Sequence, residues 1–408
     1  MSTSMFALFR NRFIRAILMS GFFLQVGIWV RNFSVLLFVV DKTHADAFAV
    51  SMISVAEFLP IFLFSFIGGT FADRWRPKRT MVWCDLLSAV SIVAVLLALT
   101  FSTWRVVFFA TLASSILSQF SQPSGMKLFK LHVPEELMQE AMSLYQTLFA
   151  LFMILGPALG TFVYQHYGIK VAIGVMGAAF LLSAGTLTFL PPDRLESMTR
   201  TPTTLREEMV QGVRYVLSSK ALTTLGACFA IAGLALGLIQ PLGIFIVTER
   251  LGLAKENLQW FMMANGIAMI VGGGLTLTIA KKIAPPKLFV LGMITNAVCL
   301  VVIGWSTQLW LSLAAQFVNG LVLPGIQISI NTMILRNSEQ SYVGRVNGIL
   351  NPLFIGSMVV TMSIAGWLKQ SLSLVTIYEF SAVLFFTGVF VMLPMFRLPM
   401  MERQQEAS

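Results

Sequence analysis

Twelve times the chain runs apolar for roughly 20 residues, the length a helix needs to cross a bilayer. The runs lie near 13–40, 47–72, 80–101, 104–127, 138–165, 170–190, 220–248, 257–280, 287–306, 308–335, 343–368 and 374–396. In lipid a backbone must satisfy its own N–H and C=O groups, so these runs predict an all-α membrane protein of twelve helices. Composition points the same way. With 57 % hydrophobic residues, 11 % charged and a mean hydropathy of +0.81, a soluble domain is excluded. The net charge of +10 sits in short loops between spans rather than on one amphipathic face, so it reports topology and not nucleic acid. The excess of Lys and Arg on alternate loops predicts both termini on the cytoplasmic side. The first span is expected to be its own insertion signal, because no small-residue cleavage site follows it. Cys84, Cys228 and Cys299 lie in apolar segments without ligand-like spacing, so no disulfide, metal or cofactor is expected.

The longest connection, 191–219, opens on Pro191-Pro192 and divides six spans from six. It predicts an N-terminal bundle (1–190), a cytoplasmic linker (191–219) and a C-terminal bundle with a short tail (220–408). Leu205, Met209, Val213 and Val216 recur at helical spacing among charges in the linker, the pattern of an amphipathic helix. A linker helix is preferred to one lying on the membrane surface.

The densest charge cluster is Gly68-Gly69-Thr70-Phe71-Ala72-Asp73-Arg74-Trp75-Arg76-Pro77-Lys78-Arg79, between the second and third spans. Its small residues admit a neighbouring helix, and its bases hold the loop at the cytoplasmic face. The order resembles the loop signature G-x-x-x-D-R-x-x-R-R/K of the major facilitator superfamily, with Gly69, Asp73, Arg74, Lys78 and Arg79 on its positions. The resemblance implies two pseudo-symmetric six-helix bundles that rock about a central substrate cavity. It also implies that the loop is a conformational latch, with Asp73 contacting the start of the eleventh helix near Gly344 and Arg345, and Asp85 a possible acid for Arg79. The second half repeats the arrangement at Gly272-Gly273-Gly274 to Lys287, without the aspartate.

In the fifth span, Gly156-Pro157-Ala158-Leu159-Gly160 is similar to the G-P-x-x-G core that marks antiporters in the superfamily, and generic small-residue packing explains it equally well. Together with Gln122-Pro123-Ser124, Val133 to Leu137, Ala141 to Leu144 and Gly344 to Gly348, it resembles the branch of the enterobactin exporter and the macrolide-efflux proteins. One departure matters: Phe108 to Phe120 carries no base, so the fourth-helix arginine of many drug antiporters is missing.

Ionisable residues inside a span are expensive and point to function. Arg31 lies about 27 Å up the first helix and Glu57 about 24 Å up the second, at 1.5 Å per residue. At equal depth they form a candidate pair, with Glu57 the protonatable group, Arg31 its tuner and Asp41 an additional candidate near the outer surface. A static clamp between helices is the alternative. Asp85, nearer the cytoplasm, is assigned to the latch. Glu379, at the start of the twelfth span, is an interfacial anchor or a cation contact. Candidate cavity-lining residues are Gln25, Asn32, Gln119, Gln122, Tyr145, Gln146, Gln240, Asn265, Asn319, Gln327 and Asn331, together with Glu379, although each of the polar residues can equally join helices. The 34 Phe and 23 Met suit greasy ligands.

The expectation is a secondary transporter acting as a monomer, exporting amphiphilic or hydrophobic small molecules in exchange for protons. A siderophore exporter and a lysophospholipid carrier are the alternatives within transport. An enzyme is not expected, because His44, His132 and His166 are scattered at span ends and no carboxylate cluster shares their depth. A receptor or scaffold would leave a latch with no alternating states to hold.

Overall fold

The computed structural model describes residues 11–74, 76–98, 104–133, 135–190, 205–280, 282–340 and 342–396. Among them the regular secondary structure is helical, without strands. The N-terminal half comprises α1 (Arg12–Lys42), α2 (Ala47–Arg74), α3 (Pro77–Ala98) and α4 (Trp104–His132), followed by a helical stretch Glu135–Thr188. That stretch is two passes, α5 (135–167) and α6 (169–188), broken at Gly168, whose φ of 72° and ψ of 179° suit glycine alone. Then come α7 (Leu205–Ser218), α8 (Lys220–Ile239), α9 (Leu258–Ile279), α10 (Pro285–Trp305), α11 (Leu309–Arg336), α12 (Val343–Ser371) and α13 (Leu374–Met392). Past α8 the helix continues through a 3₁₀ turn at Gln240–Leu242, where Pro241 removes a donor, and a π turn at Ile246–Arg250.

Nine segments of the described residues are long and apolar enough to cross a membrane, and one of them, Leu137–Thr188, holds both α5 and α6. The remaining two passes, α3 and α4, have spanning lengths of 22 and 29 residues and more polar ends. With α7, at 14 residues, too short to span, this is the all-α fold of twelve transmembrane helices that the hydropathy predicts.

The chain packs as two compact units, Met1–Ala45 with Ala56–Arg200, and Asp46–Val55 with Thr201–Ser408. In the first, α1 lies along α5 and α6 while α3 packs on α4 and α6. Ile14, Ile17, Leu128, Phe129 and Leu187 close one end of its core. In the second, α8 packs on α12 and α13, α9 on α11, and α10 on α11 and α13. There is no hydrophobic drive between helices in lipid, so close backbone approach carries these contacts.

A Cβ at Gly237 would lie 2.1 Å from the Met358 carbonyl oxygen, and one at Gly272 would lie 2.2 Å from that of Leu321. Thus the first glycine of the second-half echo is a packing residue, whereas Gly274 faces open space. Gly237→Ala should lower the thermal midpoint of the detergent-solubilised protein by the equivalent of about 1–3 kcal/mol. Gly274→Ala should leave that midpoint unchanged or raise it. Equal midpoints for Gly237→Ala and the parent would remove backbone contact as the basis of α8–α12 packing.

Helix α7 packs on α12 through Gly212, which faces Arg345 and Ile349, and Tyr215 stacks on Tyr342 with ring centroids 4.2 Å apart. The Tyr215 hydroxyl also accepts from the Glu339 backbone N–H.

Candidate functional site

Two charges of the first unit, Arg31 and Glu57, share one hydrogen-bonded network. Arg31 and Asn32 are consecutive on α1, so they point to adjacent faces, and Glu57 reaches them from α2. Arg31 Nε donates to Asn32 Oδ1 at 2.9 Å, and Asn32 Nδ2 donates to Glu57 Oε1 at 2.7 Å. A second guanidinium nitrogen donates to Ser114 Oγ on α4 at 2.7 Å. Arg31 and Glu57 are therefore joined through an amide and not in direct contact. The amide oxygen faces the cation and its NH₂ faces the anion, so the bonds strengthen one another in a medium of low dielectric.

Arg31 is only 5 % exposed. Pro60, three residues after Glu57, cannot bond back to the Ala56 carbonyl, which loosens α2 beside the acid. A small cleft adjoins Arg31 and is lined by Val35, Ser91, Thr111 and Met176 among others. The Thr111 hydroxyl is buried there without a partner. If Glu57 gains a proton, Asn32 can still donate to it but the bond loses its charge assistance, and Arg31 becomes the one charge of the network. The arrangement can thus convert a protonation into a changed grip between α1, α2 and α4.

The glycines of the fifth-span motif fix α1 where this network sits. A Cβ at Gly156 would come 2.4 Å from the Trp29 ring, and one at Gly160 would come 2.6 Å from Phe33 Cβ and 2.8 Å from the Trp29 carbonyl oxygen. Those contacts bracket Arg31 and Asn32 on α1.

The other candidates scatter. Gln25 is buried on α1, and Gln119 donates to the Ser115 carbonyl of its own helix. Tyr145 packs edge to face on Phe129 and Phe149 and against Gly21, while Gln146 is exposed. The Gln122 side chain lies outside the described residues. Asp41 accepts from Tyr164 Oη at 2.7 Å near the surface. In the second unit Gln240, Gln327 and Asn331 are exposed, Asn319 is half-buried, and Asn265 donates to the Gln316 carbonyl. Glu379 accepts from Trp305 Nε1 at 2.9 Å, a helix-to-helix bond between α13 and α10.

The surroundings of Gly69 and the side chains of Asp73 and Arg74 lie outside the described residues. Lys78 donates to the carbonyls of Thr188, at 2.9 Å, and Leu190, so it caps the C-terminal end of α6, where a cation is favoured. Gly344 meets open space, and the Arg345 guanidinium lies over the Tyr342 ring. Asp85 does not pair with Arg79. Six residues along one helix turn the second side chain about 120° away and displace it by about 9 Å. Asp85 instead points inward, 2 % exposed, and accepts from Ser183 Oγ at 2.7 Å, while Arg79 is exposed.

Sequence reasoning missed Ser114, Ser183 and the ion pair of Glu249 with Lys369 at 2.7 Å. Only Ser114 had a local signal, the hydroxyl row Thr111, Ser114, Ser115, Ser118 and Ser121 at helical spacing on α4. The partner of Ser183 lies 98 residues away.

Comparison with known proteins places this geometry in a family. The sequence profile described as Major Facilitator Superfamily matches residues 17–247 and 225–407. The chain is 25 % identical over 376 residues to an uncharacterised transporter of that type, YkuC of Bacillus subtilis, covering 88 % of this chain and 86 % of that one. It is 27 % identical to the multidrug efflux pump Tap of Mycolicibacterium fortuitum, over 82 % of this chain and 84 % of the pump. To macrolide efflux protein A of Streptococcus pyogenes it is 27 % identical over about half of each chain, 48 % and 49 %. Among solved structures, a mutant of the nucleoside transporter NupG superposes with a TM-score of 0.80 at 10 % identity, over 94 % of this chain and 100 % of that one. A POT family transporter superposes with a TM-score of 0.73 at 12 % identity, over 94 % and 95 %. At such identities the superpositions speak for the fold alone.

Proposed function

This chain belongs to the Major Facilitator Superfamily, and from that premise we propose that it is a proton-coupled exporter of amphiphilic or hydrophobic small molecules. It would work by alternating access in the bacterial cytoplasmic membrane, with both termini in the cytoplasm. The observation that carries the reading is the network of Arg31, Asn32 and Glu57, a titratable acid held inside the membrane by an uncharged bridge to a cation. Such a group is costly to keep in a span unless its charge state is used. The similarity to Tap and to macrolide efflux protein A supports a multidrug-like substrate class. The many Phe and Met side chains supply adaptable apolar surface for it.

The test is a substrate screen in inverted membrane vesicles under an imposed pH gradient, acid inside. Cationic dyes and macrolides are compared with siderophores and lysophospholipids. Gradient-dependent accumulation of dyes or macrolides is the expected result. Accumulation confined to siderophores or lysophospholipids would overturn the substrate class, and accumulation indifferent to the gradient would overturn the coupling.

The signature loop enters this reading as a latch on conformation. Asp73→Asn is expected to cripple transport while leaving the protein inserted and its thermal midpoint unchanged. Parental transport rates in that variant would take the latch out of the mechanism.

A further inference from the structure

A second buried acid of the first unit is not used by the mechanism above. Asp85 on α3 accepts from Ser183 Oγ on α6, and Ser183 Oγ lies 2.8 Å from Ser20 Oγ on α1. A hydroxyl has one hydrogen. Because Ser183 gives its hydrogen to Asp85, Ser20 must be the donor to Ser183. The result is a directed chain, α1 to α6 to α3, ending on a carboxylate. All three residues are buried.

Beside Asp85 opens a small cleft, to which α3 contributes Ser88 and α4 contributes Ser118 and Ser121. The groups facing Asp85 are hydroxyls and apolar side chains, and the titratable neighbour is the Cys84 thiol of α3. Among the described residues no Lys, Arg or His lies within ion-pair distance of Asp85.

The same row of α4 that lines this cleft also passes the first site. Ser114 bonds Arg31, and Thr111 lines the cleft beside Arg31. From Ser114 to Ser121 is about 10 Å along the helix. Thr111 and Ser115 keep buried hydroxyls without a protein partner, as water-binding positions do.

We infer that Asp85 is a second proton-binding station of the transport cycle, linked to the Arg31–Asn32–Glu57 network by the hydroxyl row of α4 and read at α1 through Ser183 and Ser20. The inference rests on the proton-coupled reading. When Asp85 Oδ2 takes a proton, its new O–H can donate to Ser183, which then turns its hydrogen toward Ser20. Both hydrogen bonds reverse direction and no covalent bond other than the O–H forms. One charge-assisted bond between α3 and α6 is replaced by a neutral one, roughly half as strong. The charge state of α3 thereby alters how α1 is held, on the helix that carries Arg31.

The experiment is infrared difference spectroscopy of the full-length protein in liposomes during acidification, following the C=O stretch of protonated carboxyl groups. It is paired with pH-driven accumulation of ethidium in inverted vesicles. The parent and Glu57→Gln should share a titrating band that Asp85→Asn lacks. Ser183→Ala should shift the frequency of that band and slow driven ethidium accumulation about tenfold, the scale of one lost charged hydrogen bond. Should Asp85→Asn fail to fold, the Ser183→Ala shift alone decides. Titrating bands that are identical in the parent, Asp85→Asn and Ser183→Ala would overturn the inference, even where Glu57→Gln abolishes coupling. Coupling that survives in Glu57→Gln would count against the proposed role of Glu57 and leave the Asp85 band to be read on its own.

Discussion

Glu57→Gln is expected to abolish accumulation driven by a pH gradient while leaving the protein folded, inserted and able to equilibrate substrate down its own gradient. Glutamine matches glutamate in size, and its side-chain oxygen can still accept from Asn32 Nδ2, the bond that measures 2.7 Å in the parent. What disappears is the titratable charge. The measurement is the ratio of driven to undriven uptake in inverted vesicles, which should fall to one. An unchanged ratio would take Glu57 out of the coupling mechanism. A companion variant probes the electrostatics: Arg31→Met leaves the Glu57 carboxylate in the membrane interior without its cation. Removing one partner of a buried pair costs about 3–5 kcal/mol, seen as a lowered thermal midpoint. Adding Glu57→Gln to Arg31→Met should recover part of that loss, because the two changes act on one network.

How much of this was legible before the fold is best judged at particular residues. The spans follow from hydropathy alone, since lipid permits a long apolar run almost no other structure. Depth was also legible: counting 1.5 Å per residue along α1 and α2 brings Arg31 and Glu57 to one level. Facing was not. Which side of α2 carries Glu57 toward α1 depends on packing that no local pattern encodes, so the bridging Asn32 looked like any other polar residue of the first span. Asp85 illustrates the same limit more strongly. Its nearness in sequence to the charged loop suggested a partner there, whereas the helix turns it toward α6 and a serine 98 residues on. Lys78 belongs with it. Read as a loop base, it spends its charge on the carbonyl end of α6, which becomes apparent only once α3 and α6 lie side by side.

The glycines of α5 yield the other large effect, and they separate side-chain from backbone contact. Gly156→Ala places a methyl group 2.4 Å from the Trp29 ring, and Gly160→Ala places one 2.6 Å from Phe33 Cβ and 2.8 Å from the Trp29 carbonyl oxygen. Contacts that short force α1 away from α5. Since Arg31 and Asn32 lie between Trp29 and Phe33, the displacement pulls both from Glu57 and Ser114. Each variant should therefore lose about 1–3 kcal/mol of stability and most of its proton-driven transport, although no charged residue has changed. Rescue tells the two apart. Trp29→Ala removes the ring that obstructs Gly156→Ala and should restore much of the transport of that double variant, measured as driven ethidium accumulation in inverted vesicles. The same change cannot relieve Gly160→Ala, whose obstruction is a carbonyl oxygen and a Cβ that every side chain but glycine retains. Equal rescue of both, or full transport in either single variant, would mean that the packing of α5 does not position the site. Failure of Trp29→Ala by itself would instead assign the indole a role in transport beyond filling the groove between the two glycines.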